Sequence, residues 1–195
     1  MSLIHTQTPA ELFEELVSDA MDHQNVRSSP EATAYLVQLL DAFVCPEQMF
    51  SRAEIPFDEP LSKIFLAAVS AGGMRRFNLF KLSGDLALFI SGVFVDSLER
   101  RALDADYYGR LGGSAYASVA VSCRSRESAT VFEELATGFE RFVDILTEVG
   151  ESCGLADDSD VLHLFERWQR TGSRHSAEAL HRLGVSLGLG SGEVH

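Results

Sequence analysis

The residue in this sequence whose chemistry is hardest to place is Asp85, a carboxyl group inside the apolar run LSGDLALFISGVF. An acid in such surroundings needs a partner, because taking an unpaired charge out of water is strongly unfavourable. Lys81, one helical turn earlier, can supply it, and so can a tyrosine hydroxyl. Downstream, the stretch DADYYGRLGGSAY sets Tyr107, Tyr108, Arg110 and Tyr116 among glycines. Apolar and aromatic walls with a few polar contacts make a small-molecule pocket. The expectation is therefore a site for a small apolar ligand between the helix carrying Asp85 and the helix carrying the tyrosines. Phe89, Tyr107, Tyr108 and Tyr116 would line it, with Asp85 and Arg110 as its polar contacts. The small residues Ser83, Gly84, Ala87, Ser91 and Gly92 have a simpler use as well, the close approach of a neighbouring helix, and packing is the more economical account of them.

A second constellation lies near the carboxyl end, where Asp160/His163 and Glu178/His181 form two acid-x-x-His pairs. Di-iron helix bundles use such pairs together with carboxylates from two further helices. Six histidines among 29 acids in 195 residues give about one such pair by chance, so the pairs carry little weight, and a helical metalloprotein or metalloenzyme is the alternative reading. No Gly-x-Ser-x-Gly elbow, Walker loop, Cys-x-x-Cys or His-Glu-x-x-His occurs, no catalytic residue is assigned and no cofactor is expected. Arg124 and Arg126 beside Cys123 would favour a thiolate, yet a cysteine closing a helix ordinarily serves packing. The segment from Ala179 to Ser186 looks like the start of a helix-turn-helix, but only LGLGSGEVH follows in place of a recognition helix.

Charge narrows the partners. The net charge is −13, from 29 acids against 16 bases, which opposes broad affinity for nucleic acid or an anionic membrane surface. Residues 1–60 hold eleven of the acids and, as bases, only Arg27 and Arg52. That acidic face is a docking surface for a protein partner in one reading, and self-association as a homodimer is the other partner expectation. Three widely spaced cysteines, Cys45, Cys123 and Cys153, argue against a disulfide framework, and no charged region followed by an apolar core opens the chain, so the expected compartment is the cytoplasm. Leu79–Val95 approaches membrane-spanning length, but Lys81 and Asp85 fall within it, so a buried helix of a soluble protein is expected.

The elements that must hold these residues are helices. Thr8-Pro9-Ala10-Glu11 is a capping box, and it predicts a helix to about His23. Ser29-Pro30-Glu31 opens a second, with Tyr35, Leu36, Leu39, Leu40 and Phe43 as its stripe, stopped by Cys45-Pro46. Residues 46–59 read as a surface connection with a short turn. A third helix starts at Pro60 and ends at Gly72-Gly73, a fourth runs from about Met74 to Ala102 with Ser83-Gly84 as the place for a bend, and a fifth runs from about Ala105 to Ser122. The sixth is read as one continuous helix from Glu127 to Gly150, on the stripe Val131, Phe132, Leu135, Phe139, Phe142, Val143, Leu146 and Val149. Ser159–Thr171 and Ser173–Leu183 complete the set. Hairpin signals and long alternating runs are missing. The fold class is therefore all-α, a single-domain bundle of seven to eight helices over residues 1–184 around a central apolar, glycine-containing helix, followed by a flexible tail at 185–195.

KLSGDLALFISGVFVDSLERR, DADYYGRLGGSAYASVA and LFERWQRTGS together resemble an uncharacterised family of bacterial helical proteins. That resemblance covers about half the chain and implies an all-helical fold without an assigned activity or catalytic residues. The function expected from the sequence is a non-catalytic binding or protein-interaction module.

Overall fold

Helix-forming segments with marked caps dominate the computed structural model, which describes residues 8–44, 47–56, 59–94 and 105–153. Among these residues eight helices follow in order: α1 (Pro9–His23), α2 (Pro30–Val44), α3 (Glu47–Ala53), α4 (Leu61–Ser70), α5 (Gly73–Val93), α6 (Ala105–Ser122), α7 (Arg126–Thr137) and α8 (Phe139–Ser152). The fold is all-α, with no strand among the described residues. The sequence-predicted helices at 159–171 and 173–183, the tail at 185–195, and Asp160, His163, Glu178 and His181 all lie outside the described residues.

Local chemistry accounts for the helix starts. Thr8 Oγ1 accepts from the Glu11 amide at 3.3 Å while the Thr8 amide donates to Glu11 Oε2 at 2.8 Å, the reciprocal pair the capping box predicts. At α2 the Ala32 amide donates to Ser29 Oγ, and Glu134 of α7 accepts from the Ser29 amide and from both the Ser28 and Ser29 hydroxyls. One carboxylate thus satisfies the start of α2 and ties it to α7. Burial pushes the Glu134 carboxyl up, but those hydrogen bonds and Arg141 more than offset it, holding it below the usual carboxylate range.

α5 is the axis of the bundle and packs against α3, α4, α6 and α8, with a lighter contact to α2. Every residue from Leu82 to Val93 is buried, so this half of the helix has no face open to water. A helix apolar all round belongs either in a membrane or at the centre of a bundle. No described helix is long and apolar enough to cross a membrane, and α5 is wrapped by its neighbours.

Three expectations are corrected. The long sixth helix is two helices, because Gly138 interrupts it, and the two halves serve different neighbours: α7 packs on α6 and α2, α8 on α5 and α1. Continuous apolar spacing hid the break, since both halves bury their stripes. The fourth helix ends at Val93, capped by the Phe94 amide on the Ile90 carbonyl, and the remainder of the stretch expected to reach Ala102 lies outside the described residues. Within the segment read as a connection, Glu47–Ala53 is helical, and Phe50 and Ala53 of that turn are buried.

Candidate functional site

Four elements converge on Asp85. The residue is only 1% exposed, and its Oδ1 accepts from Tyr35 Oη of α2 at 2.6 Å and from Tyr116 Oη of α6 at 2.9 Å. Oδ2 accepts from Lys81 Nζ at 2.7 Å, one turn earlier on α5. The Lys81 ammonium also stands 4.9 Å from the centre of the Tyr35 ring. Phe132 of α7 closes the cluster, edge-on to Tyr35 at 5.3 Å and tilted against Tyr116 at 6.0 Å. Two hydroxyls and an ammonium donating to one carboxyl match the acceptor-only inventory of an ionised carboxylate. Burial, reinforced by the Asp85 charge, raises both tyrosine hydroxyls well above their ordinary range.

The glycines explain why this cluster can be so tight. A methyl group on Gly84 would stand 2.7 Å from Tyr116 Cε1, and one on Gly112 of α6 would overlap the Phe139 ring and stand 2.9 Å from Ala87 Cβ. On the other side of α5, Gly92 meets Leu146 and Gly150 of α8 meets the Val93 backbone. The small residues therefore let α6 and α8 close on α5. Their use is packing, and the space beside Gly84 is filled by the Tyr116 ring.

The six residues expected to share a pocket are dispersed. Asp85 and Tyr116 meet as anticipated. Phe89 turns to α2 instead, stacked on Phe43 with ring centres 3.8 Å apart. Tyr107, Tyr108 and Arg110 sit in the first turns of α6, with Tyr107 and Arg110 exposed and the two tyrosines edge-to-face at 5.4 Å. Successive positions of α6 point in different directions, so proximity in sequence did not become a shared wall. Tyr35 is the residue sequence reading took for plain core. Its signal was a lone hydroxyl in the α2 stripe, and only tertiary packing aims that hydroxyl at Asp85.

Two other surfaces have chemical content. Arg110 lines two adjoining hollows of about 560 and 550 Å³ between α6 and α8, and the first of these also reaches Ser91 of α5. At another place on the surface, the N-terminal turn of α5 and the α6–α7 junction border a groove of about 550 Å³ containing Met74, Arg76, Phe77, Cys123 and Arg124. Burial pushes the Cys123 thiol up, opposite to the thiolate its arginine neighbours would favour. Among the described residues no group of three or more His, Cys, Asp or Glu side chains is placed to hold a metal ion.

No family model, curated protein or solved structure matches this chain. Its own surfaces must carry the functional reading.

Proposed function

We propose that this chain is a non-catalytic, cytoplasmic protein-interaction module that self-associates, the groove at the start of α5 receiving the acidic α1 of a second copy. The observation that carries this reading is a groove that Met74 and Phe77 line together with Arg76 and Arg124, in a protein of net charge −13. Met74 is 67% exposed, and Leu66 and Val69 on the neighbouring α4 are 64% and 52% exposed. Val121 at the end of α6 is 89% exposed. Arg75, Arg76, Arg124 and Arg126 occupy the same two helix junctions, and the N-terminal ends of α5 and α7 add their positive dipoles. Large apolar side chains with a polar rim are the anatomy of an interaction surface.

α1 has the complementary character. Glu11, Glu14, Asp19 and Asp22 are exposed on it, and Leu12 between them is exposed as well. Acids around one protruding leucine suit arginines around an apolar groove. The two thiols of the described residues, Cys123 and Cys153, are free, which supports a reducing compartment.

Sedimentation velocity tests the proposal. The wild-type protein associates at about 0.05 M salt and dissociates at about 0.5 M, where exposed charges are screened. The variant Arg76→Glu/Arg124→Glu is monomeric, and mixing it with Glu14→Arg/Asp19→Arg restores a complex. A wild-type monomer at every salt concentration, or association that the arginine replacements leave unchanged, overturns the reading.

A further inference from the structure

We propose that the tip of the α4–α5 hairpin docks on an anionic lipid bilayer, its apolar side chains entering the interface between arginines that face the lipid phosphates. The first observation is a local reversal of charge. Residues 60–84 contain Lys63, Arg75, Arg76 and Lys81 but no aspartate or glutamate, in a chain with 29 acids against 16 bases. Both lysines are neutralised, Lys63 by Glu59 at 3.1 Å and Lys81 by Asp85 at 2.7 Å. The arginines are not. Across the groove at the start of α5 stands Arg124, with Arg126 exposed two positions further on. Among the described residues none of Arg75, Arg76, Arg124 and Arg126 forms an ion pair. Four cations gathered without a carboxylate in so acidic a protein are complementary to an external negative surface.

The second observation is what stands among those cations. Only Ala71 and Gly72 join α4 to α5, and from Val69 to Arg75 every residue except Ala71 is exposed. Met74 projects from this turn. Arg76 Nη1 lies 3.5 Å from the Val69 carbonyl oxygen, which sets the guanidinium beside exposed Val69. Leu66, also exposed, lies one turn earlier on the same face of α4. Apolar side chains on the tip of a hairpin, flanked by arginines, suit a bilayer: the aliphatic groups enter the acyl boundary and the guanidiniums stay at the phosphates. Because Gly72 is the N-cap of α5 and offers no side-chain bond, the first amides of that helix are open to the same headgroups.

This inference goes beyond the self-association reading and stands without it. The exposed turn is too small to be a protein interface by itself, since a stable one takes about 20–30 residues from each side. A bilayer needs no such matching surface. Its cytoplasmic leaflet is anionic, and the attraction acts on basic residues within a Debye length of about 10 Å, so the acids elsewhere on the protein orient it without preventing contact.

The experiment is co-sedimentation of the full chain with sucrose-loaded vesicles of equal parts phosphatidylglycerol and phosphatidylcholine, beside vesicles of phosphatidylcholine alone, at about 0.1 M salt. The expected result is partition about tenfold or more stronger on the anionic vesicles, since each basic residue near such a surface contributes roughly fivefold. Arg75→Glu/Arg126→Glu weakens it about tenfold or more, and Met74→Ser weakens it about threefold or more at unchanged charge. All three positions are exposed, so the circular dichroism melts of these variants match wild type. Glu14→Gln/Asp19→Asn weakens the docking face of α1, leaves the tip intact and keeps vesicle binding. Equal partition onto both vesicle types, partition onto neither, or partition that the arginine or the methionine replacement leaves undiminished overturns the proposal. Self-association without vesicle binding overturns it alone and makes a second copy the occupant of the tip. Vesicle binding by a protein that is monomeric at every salt concentration upholds it and overturns only the self-association reading.

Discussion

Replacing Asp85 by alanine removes the one acceptor that three donors share, and the structure sets the size of the effect. Tyr116 is 0% exposed, so its hydroxyl is left without protein or water, a loss of about 1–3 kcal/mol. Tyr35 is only partly buried and its hydroxyl loses about 1 kcal/mol by the same reasoning. The Lys81 side chain is 38% exposed and turns to water, which limits its share to under about 1 kcal/mol. Alanine's better helix propensity returns about 0.6 kcal/mol. The net expectation is a destabilisation of about 2–4 kcal/mol, a large fraction of the stability of a domain this size. Urea unfolding followed by circular dichroism measures it, and a cycle with Tyr116→Phe apportions it. In the wild-type background Tyr116→Phe costs about 1.5–3 kcal/mol, the value of a hydrogen bond to a charged group. In the Asp85→Ala background the same change costs nothing or stabilises, because it deletes a hydroxyl already orphaned. A cost below about 1 kcal/mol for Asp85→Ala, or a coupling below about 0.5 kcal/mol, would refute a sealed network and mean that water reaches the carboxyl group.

Two glycines of α6 should respond oppositely to alanine: Gly112→Ala lowers stability by about 1–3 kcal/mol because Ala87 Cβ and the Phe139 ring are in the way, while Gly109→Ala raises it by about 0.5–1 kcal/mol, both read from thermal melts. Tyr35 and Tyr116 ionise far less readily folded than unfolded, so their contribution is complete below the ordinary tyrosine value and is lost as pH rises above it. Stability then falls by about 1.4 kcal/mol per pH unit for each tyrosine, and Tyr116→Phe halves that alkaline slope. Glu134 is held below the usual carboxylate range, so its contribution is present above that range and lost as pH falls. Ser29→Ala therefore moves acid unfolding to higher pH, besides weakening the start of α2 by about 1 kcal/mol.

Residue order alone determined the helical class, most helix starts and the identity of the central helix, because caps and apolar period act over a single turn. Thr8-Pro9-Ala10-Glu11 specifies its own hydrogen bonds, and no distant residue is needed to complete them. The need of Asp85 for a partner was legible for the same reason, since Lys81 lies one turn away on the same helix. Tertiary structure decided the rest. Gly138 divides one apolar stripe into two helices only because α7 and α8 have different neighbours to satisfy. Tyr35, fifty positions from Asp85, donates to it only because α2 lies against the bundle at that register. Phe89 belongs to Phe43, and Tyr107 to the surface, because orientation about a helix axis is set by what packs on each side. Local pattern specifies which face of a helix is apolar. Which neighbour fills that face, and which polar atoms are thereby shut in or left open, depends on the volumes of residues far apart in the chain.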